Sequence, residues 1–218
     1  MPFILKTKIN SDAALGIWQI TETEELLQSL IRISEEDAIR LQDIRHPLRR
    51  RQWLACRIMI CDLTSDPRVQ VHYTAEGKPV LASGSHQISL SHSGEFAAVL
   101  ASSESPVGID LELLRDRITR VADRFMTPEE LGRTADPGWP EKLYSHWCAK
   151  EAVYKLYGGQ ILDMQQEIVL EPFDYLCTES GKVKAVVSHG QRRLTHELTW
   201  FRTTGWMMAY TFGPGETK

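Results

Sequence analysis

The chain has 218 residues, of which 42% are hydrophobic and 25% are charged, a composition typical of a soluble globular protein. At roughly 100 to 200 residues per domain, this length predicts one large domain or two small lobes. The net charge of -4 argues against a nucleic-acid partner, which would require a basic surface. No segment approaches the ~20 apolar residues of a membrane span, so we expect no membrane contact.

The chain contains four cysteines: Cys56, Cys61, Cys148 and Cys177. Because none of them lies in a C-x-x-C pair, neither a zinc site nor a thioredoxin-like motif is predicted. Residues 1–20 include charged side chains and no continuous apolar run, so we expect no signal peptide. These observations predict a reduced, cytoplasmic protein.

The first half of the chain alternates apolar periodicity with turn signals. Thr21, with Glu24 three residues later, resembles a capping box, and Ser34 precedes an acidic first turn. Residues 76–79 (Glu-Gly-Lys-Pro) form a turn signal. We therefore predict, in chain order, a strand, three helices and two short strands: residues 15–20, 21–30, 34 to the interruption at Pro47, 48–62, 87–91 and 95–100.

The polar run at residues 102–106 is the candidate boundary, giving predicted lobes of residues 1–103 and 104–218. Residues 107–112 form the clearest strand, and Thr127 with Glu130 is a strong capping-box helix start. The order of elements allows two similar halves, although no sequence repeat proves duplication. The other predicted elements of the second half are a helix near 118–125, a loop at 137–140, a long helix at 141–157 and a β-meander at 168–170, 183–188, 194–201 and 206–212.

Two carboxylates share one face of the strand at residues 107–112. Asp110 and Glu112 are two positions apart, so their charges repel and one pKa rises unless a partner neutralises them. A divalent cation would do so, and magnesium commonly takes one or two carboxylates together with water and phosphate oxygens. Taken alone, this short pattern favours a solvated acidic strand edge.

The long helix at residues 141–157 carries further charge. Trp147, Glu151 and Lys155 are spaced four residues apart and share a face. The simplest alternative is an exposed Glu–Lys pair, which would contribute only about 0.3–0.5 kcal/mol. Lys150 and Glu151, however, lie among apolar neighbours, so this stretch is predicted to be partly buried. A metal and a phosphate would account for charges in that environment.

Four basic residues of the first half are candidate phosphate contacts: Arg51, Arg57, Lys78 and His92. Individually, each is better explained as an ordinary helix, turn or loop residue. The Ser-His-Ser-Gly run at residues 91–94 lacks the G-x-S-x-G motif of serine hydrolases. The sequence also contains no P-loop and no G-x-G-x-x-G motif.

Together these segments resemble the 4′-phosphopantetheinyl transferase superfamily, in its two-lobed, Sfp-like type. Residues 108–112 (Gly-Ile-Asp-Leu-Glu) match the family pattern G-[IV]-D-x-E. Residues 147–155 (Trp-Cys-Ala-Lys-Glu-Ala-Val-Tyr-Lys) match W-[TS]-x-K-E-A-x-x-K, except that Cys148 replaces Thr or Ser. Three supporting segments occur in the family's order: an arginine-rich helix at 51–57, Gly77-Lys78-Pro79, and the strand at 88–93. Residues 160–218 match only in length and strand-like character.

The resemblance implies an α+β fold of two similar lobes with pseudo-twofold symmetry, each an antiparallel sheet packed on a long helix. Coenzyme A would bind in the cleft between them. Asp110, Glu112 and Glu151 would hold Mg²⁺, or Mn²⁺, with Glu130 matching an acidic family position near the metal. The implied catalytic residues are Glu151, Lys155 and Lys150. The implied coenzyme contacts are Arg51, Arg57, Lys78, Pro79, Ser91, His92 and Lys155.

The implied reaction transfers 4′-phosphopantetheine from coenzyme A to a serine of an acyl, peptidyl or aryl carrier protein. Two other functions stay open, namely a non-catalytic coenzyme A binding module and a magnesium-dependent phosphodiester hydrolase. Because carrier proteins of this kind are usually acidic, the arginine-rich segment at residues 115–125 is a candidate docking surface, with an ordinary amphipathic helix as the alternative. The two-lobed length predicts a monomer.

Overall fold

The computed structural model describes residues 3–134, 140–160, 163–173 and 179–214. The chain forms two compact units, one ending at Pro106 and the other spanning Val107–Pro214. Each unit has its own antiparallel sheet, its own apolar core and one 18-residue helix. The predicted α+β class is therefore confirmed, whereas the pseudo-twofold relation stays a prediction.

The first unit is built on a four-stranded antiparallel sheet and a separate two-stranded hairpin. Its strands are β1 (Phe3–Lys8), β2 (Ala13–Gln19), β3 (Val71–Tyr73), β4 (Pro79–Leu81), β5 (Gln87–Ser93) and β6 (Phe96–Ser102). Its helices are α1 (Glu24–Ser29), α2 (Glu35–Asp43) and α3 (Pro47–Thr64). The sheet order is β1-β2-β6-β5, and α3 packs across β2, β5 and β6, which places the core between helix and sheet.

The second unit is a five-stranded antiparallel sheet with a long helix lying across it. Its strands are β7 (Val107–Leu113), β8 (Ile168–Leu170), β9 (Ser180–His189), β10 (Arg192–Arg202) and β11 (Trp206–Phe212). Its helices are α4 (Pro128–Arg133), α5 (Pro140–Tyr157) and α6 (Met164–Glu167). The order β7-β11-β10-β9-β8 confirms the predicted meander and adds β7 at the edge next to β11. Helix α5 packs mainly on β7 and β11.

One predicted helix start in the first unit was wrong, and another is confirmed to within one residue. Helix α1 is capped by Thr23, whose side chain accepts from the Leu26 N–H, rather than by Thr21. The Thr21 N–H, which a capping box would direct to Glu24, donates to the Glu22 carboxylate at 3.0 Å. A break between α2 and α3 precedes Pro47, as predicted, and Pro47 itself is the first residue of α3. Its missing N–H costs nothing there, since the first helical N–H groups have no partner within the helix.

The segment at residues 118–125 does not form the predicted α-helix. It forms two short 3₁₀ turns, Asp116–Arg120 and Ala122–Arg124. Val121 separates them with φ -128° and ψ 4°, outside the helical region, so the hydrogen-bond series cannot continue. The predicted arginine-bearing surface is therefore shorter and more irregular than an amphipathic helix.

Several predicted helix starts and ends are confirmed. Ser34 caps α2, and the capping box of Thr127 and Glu130 opens α4. Helix α5 ends at Tyr157, and Gly158, which follows, has φ 60°, a left-handed conformation that glycine adopts without strain because it has no Cβ. Of the predicted loop at residues 137–140, residues 137–139 lie outside the described residues, and Pro140 is the first residue of α5 instead. None of the described helices is long and apolar enough to cross a membrane.

Candidate active site

The second unit brings the strand β7 and the helix α5 together, and with them the predicted carboxylates. Asp110 lies on β7 opposite Ala209 of β11 and is only 3% exposed, while Glu112 is half-buried. Glu151 and Lys155 extend from α5, which packs directly on this strand. The face of β7 that carries Asp110 therefore meets the face of α5 that carries Glu151 and Lys155, as predicted from the alternation of the strand and the four-residue spacing on the helix.

Lys155 is anchored to Asp110. Its Nζ lies 2.7 Å from the Asp110 Oδ1, and the Lys155 side chain is 28% exposed. Burial alone would lower the pKa of Lys155, but the negative charges of Asp110 and Glu151 outweigh it and leave the pKa raised. Lys155 therefore stays protonated at neutral pH.

The pKa of Glu151 is also raised, but here burial and the neighbouring negative charges act in the same direction. Burial, and then the negative charge of Asp110, raise its pKa from 4.5 to about 7; Glu112 adds to this and Lys155 opposes it. The three carboxylates thus lie close enough to repel one another. Glu151 is consequently a carboxyl group that changes charge near neutral pH.

The charges of these four groups suit a divalent cation. Lys155 supplies one positive charge against Asp110, Glu112 and Glu151, so two negative charges remain among them when all are ionised. Within the described residues, no three Asp, Glu, His or Cys side chains are already arranged around a metal position, and the Lys155 ammonium pairs with one of the carboxylates. The donor set of carboxylate oxygens nevertheless fits Mg²⁺ or Mn²⁺, which prefer hard oxygen ligands.

Lys150, which was predicted to be catalytic, lies in the core instead of in this cluster. It is fully buried, and its Nζ lies 2.7 Å from the Glu130 Oε2. Burial lowers the pKa of Lys150, and Glu130 opposes that shift. Because its side chain is fully buried and paired with Glu130, we propose that Lys150 stabilises the fold of the second unit.

Glu130, which was placed near the metal by resemblance, is also a core residue. It is 1% exposed and accepts the N–H of Thr127 and the N–H of Leu170, each at 2.8 Å. With Lys150 it joins α4, α5 and β8 through one carboxylate. The capping-box signal was the available clue to this role, since its carboxylate is committed to backbone N–H groups.

Cys148 stands at the position where the family pattern has Thr or Ser. It is fully buried, and its thiol points to the Met207 carbonyl oxygen at 3.7 Å. Burial, and then the charges of Asp110 and Glu112, raise the pKa of this thiol well above 9.0. Cys148 is therefore a neutral group packed beside the carboxylates.

An open groove lies beside Glu112. Its cavity volume is about 380 Å³, and it is lined by Glu112, Arg117, Ile118, Arg120, Val121, Tyr144 and Trp147. Trp147 is held by an edge-on contact with Phe125, with ring centroids 5.0 Å apart. The groove therefore combines an apolar floor, two arginines and one carboxylate of the cluster.

In the first unit, His92 contacts Arg49, which was not among the predicted phosphate contacts. The Arg49 Nη1 lies 2.7 Å from Nδ1 and 2.8 Å from Nε2 of His92. The Gln52 side-chain amide links the two elements at this contact. It accepts a hydrogen bond from Arg49 of α3 at 3.4 Å and donates one to the Gly94 carbonyl, next to the end of β5, at 2.6 Å. Arg49 and His92 therefore form a basic pair between α3 and β5.

The other predicted coenzyme contacts of the first unit lie in varied environments. Arg51 is half-buried and donates to the Glu22 carbonyl at 3.4 Å. Ser91 is buried on β5, and Lys78, whose pKa is lowered by burial, precedes Pro79 at the start of β4.

Arg57 is the most enclosed of these residues. It is 1% exposed, stacks on the Trp53 ring at 4.3 Å and pairs with Asp37 at 3.6 Å. Its Nη2 also approaches the Tyr73 hydroxyl at 3.4 Å. Because a coenzyme contact would require this stack to open, we propose that Arg57 stabilises the fold of the first unit.

Comparison with known proteins identifies a matching family. Residues 106–202 match the 4′-phosphopantetheinyl transferase superfamily. The 4′-phosphopantetheinyl transferase HetI of Nostoc is 30% identical over 187 residues, which cover 77% of this chain and 77% of that protein. The 4′-phosphopantetheinyl transferase AcpT of Salmonella typhi is 34% identical over 120 residues, which cover 51% of this chain and 61% of AcpT.

A mammalian protein is also similar. The mouse L-aminoadipate-semialdehyde dehydrogenase-phosphopantetheinyl transferase is 27% identical over 201 residues, which cover 81% of this chain and 65% of that protein. The chain spans about three fifths of the length of the AcpT proteins that it matches. The matched family segment contains Asp110, Glu112, Glu151 and Lys155.

Proposed function

Because the chain belongs to the 4′-phosphopantetheinyl transferase superfamily, we propose that it transfers 4′-phosphopantetheine from coenzyme A to a serine of a carrier protein. The products are the phosphopantetheinyl-serine and adenosine 3′,5′-bisphosphate. The observation that carries this proposal is the cluster of Asp110, Glu112, Glu151 and Lys155 on β7 and α5. The predicted cytoplasmic location and monomeric state stay predictions.

Each group of the cluster has a role in this proposal. Asp110, Glu112 and Glu151 would hold Mg²⁺, which when bound offsets negative charge on the coenzyme A pyrophosphate. Lys155 stays protonated, because the Asp110 and Glu151 charges raise its pKa, and would stabilise the phosphate that leaves with the adenosine. Its ammonium would exchange part of its contact with Asp110 for that phosphate.

The transfer itself is a displacement at the β-phosphorus of coenzyme A. The serine oxygen forms a bond to that phosphorus while the bond to the leaving phosphate oxygen breaks. The serine proton must pass to a base, and a group that changes charge near neutral pH is suited to accept it. Glu151 has that property, since its pKa is raised to about 7. Glu151 would act as this base only where it is not a direct metal ligand, and a water molecule is the alternative base where it is.

An assay of both products separates transfer from hydrolysis. The protein is incubated with coenzyme A and Mg²⁺, with and without an apo carrier protein, and adenosine 3′,5′-bisphosphate is quantified. We expect release only when the carrier is present. Release without a carrier would instead support a phosphodiester hydrolase, and tight coenzyme A binding without any release would support a binding module.

Metal affinity is expected to depend on pH. Because a protonated carboxyl group is a poor metal ligand, and the pKa of Glu151 is about 7, binding should weaken as pH falls through 7. We expect the apparent Mn²⁺ affinity to rise about tenfold between pH 6 and pH 8. Electron paramagnetic resonance of free Mn²⁺ measures this. An unchanged affinity across that range would remove Glu151 from the metal site.

For the first unit we propose that Arg49 with His92 binds a coenzyme A phosphate, together with the predicted residues Lys78 and Ser91. Arg49→Ala should raise the coenzyme A KM about 10- to 100-fold, since a charge-assisted phosphate contact contributes about 1.5–3 kcal/mol. Arg51→Ala is the matched change two residues along α3, and it tests the prediction from the sequence that Arg51 contacts the coenzyme. A larger effect at Arg51 than at Arg49 would restore Arg51 as the phosphate contact.

The groove beside Glu112 is the proposed site for the carrier protein. Its arginines suit an acidic partner, and its apolar floor suits the apolar side of a carrier surface. Charge reversal at Arg117 and Arg120 should raise the carrier KM about tenfold while the coenzyme A KM stays unchanged. Reversal of the exposed pair Arg192 and Arg193, outside the groove lining, is the matched control. Equal effects of the two double variants would argue against docking in the groove.

A further inference from the structure

Gly108 lies where strand β7 and helix α5 approach most closely. A Cβ atom added to Gly108 would lie 1.9 Å from the Ala152 carbonyl oxygen, 2.9 Å from the Ala152 carbonyl carbon and 3.0 Å from the Leu156 nitrogen. All three atoms belong to the helix backbone, so no side-chain rotation relieves the overlap. Any residue other than glycine would have to push the helix away from the strand.

Backbone conformation does not explain this glycine. The turn glycines Gly77 and Gly158 have positive φ, a region that side chains rarely adopt, but Gly108 is not among the positive-φ glycines. Gly108 lies within an ordinary antiparallel pairing, opposite Thr211 of β11. The requirement for glycine at this position is therefore one of space.

The close approach is placed next to the charged cluster. Gly108 precedes Asp110 by two residues on the same face of β7, and Ala152 follows Glu151 directly on α5. The Lys155–Asp110 ion pair, at 2.7 Å, spans the same strand and helix. A shift of α5 at Gly108 would therefore change the distances between Asp110, Lys155 and Glu151 together.

Cys148 makes a second contact that seats the same helix. Its thiol donates to the Met207 carbonyl oxygen at 3.7 Å, and Met207 is the register partner of Glu112. Cys148 and Ala152 are one helical turn apart. The helix is thus held against the sheet by a close backbone approach at Gly108 and by a hydrogen bond on the far side of Asp110.

We propose that Gly108 and Cys148 are positioning residues that set the distance between the carboxylates of β7 and the charged groups of α5. This inference rests on the proposed function, because the distance matters through metal binding and transfer. Gly108 allows α5 to approach β7 closely, and the Cys148 hydrogen bond to Met207 fixes α5 at that distance from the sheet. Neither residue touches the substrate.

The test compares two glycine variants of the same sheet. Gly108→Ala should lower kcat about 100-fold, since a misplacement of about 1 Å has that effect, and should weaken Mn²⁺ binding about tenfold. Gly181→Ala is the control, because the atoms nearest to its added Cβ belong to the Trp200 side chain, at 2.7 Å, and not to a helix backbone. It should lower the melting temperature but leave the Mn²⁺ affinity, kcat and coenzyme A KM close to wild type.

A second pair of variants keeps the proposal testable if Gly108→Ala does not fold. Cys148→Ala removes the hydrogen bond to Met207 and should weaken Mn²⁺ binding several-fold, whereas Cys148→Ser keeps a donor and should restore it. Near-UV circular dichroism checks that each variant is folded. Wild-type Mn²⁺ affinity in both Cys148→Ala and folded Gly108→Ala would overturn the proposal.

The metal measurement separates this inference from the proposed function. Mn²⁺ binding is measured on the protein without coenzyme A or carrier, by electron paramagnetic resonance. If wild type transfers to no carrier while the variants still lose Mn²⁺ affinity, the proposed function fails and the positioning role stands. If wild type transfers and the variants match it in affinity and kcat, the positioning role fails. Absence of Mn²⁺ binding by wild type would also overturn it.

Discussion

Replacing Glu151 by Gln is expected to lower phosphopantetheine transfer at least ~10³-fold, because metal-assisted charge stabilisation is worth several kcal/mol of the barrier. The amide is neutral and cannot complete the charge balance of the three carboxylates. The rate of carrier modification at saturating coenzyme A measures the effect. Glu141→Gln, on the first turn of the same helix, makes the same charge change and should leave the rate close to wild type.

The same substitution is expected to stabilise the metal-free protein above pH 7. The pKa of Glu151 is raised from 4.5 to about 7 in the folded protein, so the folded state binds this proton more tightly than the unfolded chain. The free energy of unfolding therefore falls as pH rises from 4.5 to 7, by up to about 3 kcal/mol. Gln has no such dependence.

Thermal unfolding in the presence of a chelator measures this difference. Glu151→Gln should melt several degrees above wild type at pH 8, given about 2–4 °C per kcal/mol for a chain of this size. The two curves should converge below pH 4.5, where the carboxyl group is protonated in both the folded and the unfolded state. Equal melting temperatures at pH 8 would show that Glu151 is not destabilised by its neighbours. Retained transfer would remove Glu151 from the site.

Replacing Lys150 by Met is expected to destabilise the second unit by about 3–5 kcal/mol, because it leaves Glu130 as a buried charge without its ammonium partner. The Lys150 Nζ lies 2.7 Å from the Glu130 Oε2, and both side chains are at most 1% exposed. The melting temperature should fall by about 10 °C. Adding Glu130→Gln to this variant should recover part of the loss, since the remaining groups are then neutral.

This experiment also decides how Lys150 contributes to activity. Lys150→Met, assayed at 10 °C and shown to be folded, should retain most of its transfer rate, whereas Lys155→Met should not. A stable Lys150→Met protein without transfer would instead place Lys150 in contact with the substrate. The comparison with Lys155 matters because both are lysines of α5, five residues apart.

Local patterns predicted the parts of the site that lie on single elements. The alternation of β7 put Asp110 and Glu112 on one face, and the spacing of α5 put Glu151 and Lys155 on another. The structure brings these faces together because α5 packs on β7. The short strands β3 and β4 were missed because three residues carry too little alternation to be recognised.

Partners that are distant in sequence were not predictable in the same way. Residues 49–51 are three consecutive arginines, and successive side chains of a helix point about 100° apart. Only tertiary contacts distinguish them, since Arg49 meets His92 while Arg50 pairs with Glu24 at 2.6 Å. The pairing of Lys150 with Glu130, which lies twenty residues away on α4, was likewise not predicted.

The most direct test of the proposed function is the intact mass of an apo carrier protein after incubation with coenzyme A, Mg²⁺ and this protein. A panel of acyl, peptidyl and aryl carriers is used, with Glu151→Gln as the matched control. We expect at least one carrier to gain one phosphopantetheine mass with wild type and none to gain it with the variant. No gain on any carrier, or an equal gain with both proteins, would contradict the proposed transfer.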